Sequence, residues 1–281
     1  MHMATKKAAT NTKKVPAKKS AGAKKTKTTV STAPVAARSQ TFTGHVQQAA
    51  RNMTLWRALA AELIGTFLLA GVVIAGQGQP IFVLFALVGI VLLIGSISGG
   101  HVNPAITIAA FVTRRIGWLR AVGYILAQCL GAALAYVVLN AFIGGAAAVS
   151  ADAQSFGQGA ATLFAAADVS ELTGKEWYVF FAELTGTAIL GLAIASATRE
   201  KTDRLVASFT AGLGIFIALM VSVSAASYVG ASAIINPAVA IALHAYGWTN
   251  VWPLAIYALA PVIGAIIGFI VYDLIRGKNA K

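Results

Sequence analysis

The triplet Asn-Pro-Ala occurs twice in this chain, as Asn103-Pro104-Ala105 and as Asn236-Pro237-Ala238, each time within an apolar stretch. Asn favours the N-cap of a helix and Pro its first turn, so each triplet predicts a helix start. The apolar runs that follow, 105–112 and 238–245, are too short to cross a bilayer, because at ~1.5 Å per residue they reach about halfway through a core of roughly 30 Å. Two half-helices that begin at mid-membrane would bring two positive dipole ends and two Asn amides to one depth, which favours a pore.

Composition and hydropathy predict an integral membrane protein made of helices. Hydrophobic residues make up 58% of the 281 positions and charged residues only 11%, far from the balance of a soluble domain. Six apolar runs are close to or above the length that a helix needs to span a bilayer. We predict spans over residues 58–75, 81–97, 118–143, 177–197, 206–226 and 251–275. The expected fold class is therefore all-α, with six transmembrane helices and two re-entrant half-helices.

The chain divides into two related halves. The motif Ala-Glu-x-x-Gly-Thr begins at Ala61 in the first span and again at Ala182 in the fourth, and each copy is followed by a second span, a triplet and a third span. Three spans are an odd number, so the second half must be inserted upside down, as an inverted internal repeat. We predict a channel domain over 56–276, with a first repeat over 56–143, an external connecting loop over 144–176 and a second repeat over 177–276.

The basic residues predict how the chain crosses the membrane. If the six spans alternate in direction, all Lys and Arg except Lys175 fall on one side, and the positive-inside rule makes that side cytoplasmic. Both termini, including a short C-terminal segment over 277–281, are then cytoplasmic. We expect a multi-pass protein of the cell (plasma) membrane.

Residues 1–55 form a Lys-rich segment of different character. Its Lys pairs are separated by Ala, Thr, Ser and Pro with almost no large apolar residues, so we predict that it is disordered. It contains no apolar run for a signal-peptide core, so we expect it to be retained. Either it contacts anionic lipid head groups or it is a solvated tail that reinforces topology. The net charge of +13 does not indicate nucleic-acid binding, because no aromatic or folded reader accompanies the lysines.

Three ionisable residues lie within or beside the apolar segments. Glu62 and Glu183 occupy matching places in the two halves. A buried carboxylate must be paired or hydrogen-bonded, so each either accepts bonds from the non-helical approach to a half-helix or belongs to a proton relay; repeat symmetry favours the first. His101 precedes the first triplet, where it either senses pH at a pore mouth or satisfies re-entrant backbone.

The sequence shows no pattern typical of an enzyme. The carboxylates are dispersed, and no group of Cys and His has the spacing of a metal site. No phosphate-binding glycine loop precedes a Lys and Ser or Thr, so nucleotide-driven transport has no motor here. We therefore expect no catalytic residues, no metal and no cofactor.

Between Trp56 and Ile275 the sequence resembles the major intrinsic protein family, the aquaporins and glycerol facilitators. The resemblance rests on the repeated Ala-Glu-x-x-Gly-Thr motif, on residues 98–107 and on both triplets. It implies a right-handed bundle of six tilted helices with the half-helices meeting at its centre, and a homotetramer with one pore per subunit. It also implies that Asn103 and Asn236 donate amide hydrogens to the permeating molecule, while Glu62 and Glu183 brace the half-helices.

The sequence departs from the family at the predicted constriction. Family members usually carry Arg directly after the second triplet, where this chain has Val239. Alignment from the triplets places the other three constriction positions at Val83, Ser224 and Ala233. None of the four is charged, aromatic or His, so we expect a wider and less polar mouth than in a water-selective pore. Alternatively, other side chains rebuild the constriction.

These features predict a passive channel for water and small uncharged solutes such as glycerol, which excludes ions by the paired half-helix dipoles. Two rival hypotheses belong to other classes. One is a proton-coupled carrier that uses Glu62 or Glu183, and the other is a non-conducting structural membrane protein.

Overall fold

The computed structural model describes residues 42–145, 162–247 and 250–277, and it is helical throughout its regular elements. All six predicted spans are confirmed. The ends of the observed helices differ from the predicted ends by no more than a few residues. The helices are α1 Phe42–Ala50, α2 Met53–Ala75, α3 Pro80–Ser98, α4 Pro104–Val112, α5 Trp118–Gly144, α6 Glu176–Ala197, α7 Arg204–Ser227, α8 Pro237–Ala242 and α9 Trp252–Arg276.

The start of the helical bundle corrects the predicted extent of the Lys-rich tail. Disorder was expected through residue 55, but α1 and the first turn of α2 already lie in this region. The Asn52 side chain accepts hydrogen bonds from the backbone N–H groups of Thr54 and Leu55, at 3.0 and 3.2 Å. An Asn at the N-cap satisfies two of the free N–H groups at a helix start, so α2 begins before its apolar run. Residues 1–41 lie outside the described ranges.

The spans present apolar side chains on their outer surfaces. Leu126 is 67% exposed, Leu274 is 74% exposed and Phe142 is 75% exposed. Six helices of spanning length with such outward faces fit a hydrocarbon solvent rather than water. The chain is therefore a multi-pass membrane protein.

The two halves run in opposite directions. We call the end of the bundle that carries Arg115, Arg199 and Arg204 the basic end, and the end that carries Phe164 the loop end. Helix α4 returns to the basic end, where Arg115 pairs with Asp273 at the end of α9. Helix α8 instead returns to the loop end, where the Leu243 carbonyl accepts a hydrogen bond from the Ala166 N–H at 3.0 Å. Each half-helix thus enters and leaves on its own side, as an inverted repeat requires.

Equivalent glycines hold the first and third helices of each half together. A side chain at Gly131 in α5 would collide with the Leu63 carbonyl in α2, and one at Gly264 in α9 would collide with the Leu184 carbonyl in α6. Small residues let two helix backbones approach this closely. Because the two contacts are related by the internal repeat, the halves share one packing scheme.

Both half-helices end in the same type of cap. At the end of α8, His244 adopts a left-handed backbone with φ 53°, and its N–H bonds to the Ile241 carbonyl at 3.1 Å, while the Ala245 N–H bonds to the Ala240 carbonyl at 2.9 Å. This is a Schellman motif, which stops a helix. The predicted half-helix over 238–245 was therefore too long by three residues at its end. Arg114, with φ 61°, takes the same place after α4.

Candidate pore and its supports

The two Asn-Pro-Ala triplets meet through crossed hydrogen bonds. The Asn103 side-chain amide donates to the Ile235 carbonyl at 2.9 Å, and the Asn236 amide donates to the Val102 carbonyl at the same distance. Val102 and Ile235 have left-handed backbones, with φ 42° and 51°. This conformation is costly for a β-branched residue, and at both positions it lies directly before the triplet. We call the irregular residues before the two triplets, 99–102 and 228–235, the approach segments. Each half-helix tip is thus fixed by the approach segment of the other half.

The carboxamides of the two Asn residues each keep one hydrogen available. Their oxygens cap the half-helices, accepting from the Ala105 N–H at 2.9 Å and the Ala238 N–H at 3.0 Å. A carboxamide nitrogen carries two hydrogens, and the crossed bond uses one of them. The second hydrogen can donate to a molecule that passes the two tips.

Glu62 and Glu183 lie in the protein interior, each 0% exposed, and bind the approach segments. Glu62 accepts from the His101 N–H at 3.0 Å and from the Val102 N–H at 2.7 Å. Glu183 accepts from the equivalent N–H groups of Ile234 and Ile235, the second at 2.8 Å. Lipid cannot bond those N–H groups, so they need a protein acceptor, and the carboxylates take that role.

The first half adds a polar network that the second half lacks at the matching positions. The Gln128 amide donates to Glu62 at 2.7 Å and lies 2.9 Å from the Thr107 hydroxyl in α4. When the triplets are superposed in sequence, Gln128 matches Pro261 and Thr107 matches Ala240. Neither of these can form such a link.

His101 belongs to this network rather than to an open mouth, which corrects the predicted location. It is 7% exposed, and its Nδ1 lies 3.2 Å from the Thr107 hydroxyl oxygen. Its ring meets the edge of the Tyr124 ring at a centroid distance of 5.4 Å. Contacts on both sides hold the imidazole behind the approach segment.

Two equivalent tyrosines, which sequence reasoning missed, support the approach segments from the third spans. The Tyr124 hydroxyl donates to the Ser98 carbonyl at 2.6 Å, and the Tyr257 hydroxyl donates to the Ser232 carbonyl at 3.2 Å. Both tyrosines follow their triplet at the same spacing. Alignment of the two halves would have revealed them.

A cavity of about 240 Å³ opens between the triplets and the loop end. Of the predicted constriction, Val83, Ala233 and Val239 line it, together with Asn236 at its inner end. Ser224 does not belong here: it lies on an exposed face of α7, and Ile215, Leu219 and Val223 form the lining instead. These three are spaced by four and share one helix face. The irregular segment 228–235 separates α7 from the triplet, so sequence spacing does not indicate which face of α7 points to the cavity.

Phe164 also lines this cavity, and no sequence motif indicated that role. It belongs to the predicted connecting loop, of which the structure describes residues 162–176. A side chain at Gly78 would lie 2.8 Å from the Phe164 ring, so the loop packs directly over the start of α3. Apart from Gln77, Gln79, Ser232 and Asn236, the side chains that line this cavity are apolar.

A second cavity of about 390 Å³ opens toward the basic end. Gly99 and Gly100 of the first approach segment line it, together with the charged residues Glu200, Lys201 and Arg204. On α7 this cavity reaches Ala211 and the first cavity reaches Ile215. Four residues are about 6 Å of helix, so the cavities approach each other from both sides of the triplets.

Arg115 joins the two halves at the basic end. Its guanidinium donates to Asp273 at 2.8 Å and to the Ala195 carbonyl at 3.1 Å, and it lies over the Phe269 ring. Burial lowers the pKa of Arg115 and the Asp273 carboxylate opposes that shift, but an arginine stays charged at neutral pH. The end of α4 is therefore tied to α6 and α9 of the other half.

The described residues contain no group of three His, Cys, Asp or Glu side chains that could hold a metal ion. Six spans, two half-helices in tip-to-tip contact and two cavities that face each other define a passive membrane channel. The sequence profile described as "Major intrinsic protein" matches residues 77–272, and the chain belongs to this family. Its members are channels and not enzymes.

Individual relatives agree with this assignment. The chain is 36% identical to "Glycerol uptake facilitator protein-like 6" of Lactiplantibacillus plantarum over 225 residues, which cover 75% of this chain and 94% of that protein. It is 30% identical to "Aquaporin-4" of Mus musculus over 241 residues, or 80% of this chain and 68% of that one. The X-ray structure of the aquaglyceroporin from Plasmodium falciparum superposes with a TM-score of 0.54 at 22% identity, over 80% of this chain and 96% of that one. This last likeness concerns the fold.

Proposed function

We propose that this channel passes both water and small uncharged solutes of the size of glycerol, through a constriction that is wide and apolar. The observation that carries the proposal is Val239, which lines the loop-end cavity where the family usually has Arg. A Val there removes a fixed charge and several hydrogen-bond donors. The names of the relatives, an aquaporin and a glycerol uptake facilitator, support both kinds of permeant.

The polar contacts for a permeating molecule come from few groups. We propose that it exchanges hydration for bonds to the free amide hydrogens of Asn103 and Asn236 and to backbone carbonyls of the approach segments. The apolar walls elsewhere in the pore offer no hydrogen bonds, so the permeating molecule spends little time bound there. Ion exclusion would rest on the two half-helix dipoles, each equivalent to about +0.5 charge at its N-terminus.

Proteoliposome swelling tests the proposal. We expect the purified wild-type protein to accelerate swelling in gradients of water and of glycerol, with flux that stays linear in solute concentration and independent of a pH gradient. Saturable uptake that follows a pH gradient would instead indicate the proton-coupled carrier. Swelling equal to that of empty vesicles would indicate a non-conducting protein.

The variant Val239→Arg tests the width of the constriction. A guanidinium there should narrow the cavity and bind solute hydroxyls, so glycerol permeation is expected to fall about tenfold and water permeation no more than about twofold. Stopped-flow swelling in parallel gradients measures both rates. Val251→Arg, which places the same guanidinium at a residue that is 76% exposed before α9, provides the control and should change neither rate. An equal loss of both permeabilities would contradict a wide mouth.

We further propose a homotetramer in the plasma membrane, with the basic end and both termini in the cytoplasm. Family membership supports the tetramer, and the arginines at the basic end support the orientation. Contact with anionic lipids is supported by a groove at the junction of α1, α2 and α5, which is lined by Arg51 and Arg120 beside Trp118. Basic pockets of this kind at a cytoplasmic membrane surface suit lipid phosphates.

A further inference from the structure

The second half-helix lacks the side-chain link that holds the first one. In the first half, Gln128 on α5 connects Glu62 with Thr107 on α4. At the matching positions of the second half, Pro261 and Ala240 carry no hydrogen-bonding side chain. Helix α8 therefore needs another attachment to the last span.

Pro261 removes the usual donor to one carbonyl acceptor in that span. A proline has no N–H, so the α-helical bond from residue 261 to the Tyr257 carbonyl cannot form. The helix responds with a π-helical turn over Ala255–Leu259. Such turns are frequent at functional sites.

The Tyr246 hydroxyl lies between this acceptor and the second triplet. Its oxygen is 3.0 Å from the Tyr257 carbonyl oxygen and 3.2 Å from the Pro237 carbonyl oxygen. The hydroxyl has one hydrogen, which these two acceptors share. Tyr246 thus links the first residue of α8 to the distorted turn of α9. In the first half, the residue at the same spacing is Thr113, whose hydroxyl donates to the Ala109 carbonyl of its own helix.

We propose that Tyr246 is a positioning residue for Asn236: its hydroxyl fixes the tip of α8 against α9 and thereby keeps the two Asn amides opposed. It takes over, from a different place in the sequence, the task that Gln128 performs in the first half. The effect on permeation rests on the proposed function, while the effect on α8 itself does not.

The test compares Tyr246→Phe with Tyr228→Phe, which removes a hydroxyl from a residue that is 88% exposed. Loss of a buried hydrogen bond should open α8 more often, so amide hydrogen exchange over Pro237–Ala242 is expected to be about tenfold faster in Y246F. Exchange in Y228F should equal that of the wild type. Tyr257→Phe should instead accelerate exchange at the approach segment near Ser232.

A residue with a purely structural role would change hydrogen exchange in α8 but not ion permeation. Cation leak is therefore the measurement that decides between the two roles. We expect Y246F proteoliposomes to leak K⁺ at least fivefold faster than wild type, because Asn236 is no longer held in line. Unchanged exchange in α8, or faster exchange with unchanged leak, would overturn the proposal. If the wild type itself conducts nothing, the proposed function fails, but exchange still tests the attachment.

A second variant guards against a folding defect. Incorporation of 4-fluorophenylalanine at position 246 replaces the hydroxyl by a fluorine of similar size, which cannot donate a hydrogen bond. We expect the same faster exchange and the same leak as in Y246F. Wild-type behaviour of this variant would show that the hydroxyl does not act as a donor, and would contradict the proposal.

Discussion

Replacement of Glu62 by alanine is expected to prevent the channel from folding to its native state. The carboxylate binds the N–H groups of His101 and Val102 and the Gln128 amide, so the two backbone donors would lose their partner and the Gln128 amide would lose one of its two partners. An unpaired polar group away from water costs several kcal/mol, so the combined loss is comparable with the whole stability of a typical domain, about 5–15 kcal/mol. The yield of detergent-stable, monodisperse protein measures the effect.

Two comparisons identify the cause of that loss. Glu171→Ala removes an exposed carboxylate and should leave the yield unchanged. Glu183→Ala removes the partner of two donors instead of three, so it is expected to be less damaging than Glu62→Ala. Equal yields of wild type and E62A would show that the carboxylate does not hold the approach segment.

Asn236→Asp is expected to turn the channel into a measurable cation conductor. The carboxylate can still cap α8, but it cannot donate to the Val102 carbonyl and places a negative charge at the meeting point of the half-helices. A unit charge acts on a cation at 4 Å with about 4 kcal/mol when the effective dielectric constant is 20. This exceeds the ~1.4 kcal/mol of a tenfold change, so we expect K⁺ permeability to rise at least tenfold.

The K⁺ flux into proteoliposomes under a fixed gradient gives the measurement. Asn250→Asp makes the same chemical change at an exposed cap near the start of α9, where the side chain accepts from the Trp252 N–H at 2.9 Å. It should leave the flux at its wild-type value. A flux in N236D that matches N250D would mean that the half-helix tips do not control cation entry.

Features set by composition and by local chemistry could be predicted from the sequence. The spans followed from apolar runs, and the starts of α4 and α8 followed from Asn at the N-cap and Pro at the first turn. The location of Glu62 beside an approach segment followed from the cost of a buried charge. Each of these depends on residues close together in the chain or on the membrane as a solvent.

Features set by helix rotation and by tertiary contacts could not be predicted from the sequence. Helix α7 alternates apolar residues with Ser222 and Ser224 near its end, so its sequence does not indicate that Val223 rather than Ser224 lines the cavity. The early end of α8 depends on the left-handed backbone at His244, a residue with no strong preference for that conformation. The location of the His101 ring depends on Thr107 and Tyr124, which come from two other helices.

The crossed bonds between the triplets have a consequence for the order of folding. Asn103 needs the backbone of the later half and Asn236 needs that of the earlier one, so neither re-entrant segment can reach its final state while the chain is half synthesised. The first segment must wait, incompletely bonded, until α7 and the residues after it have entered the bilayer. The conducting path therefore forms late, when both re-entrant segments reach their final state together. In partly synthesised chains that are trapped experimentally, the first spans should already be inserted while no conducting path exists.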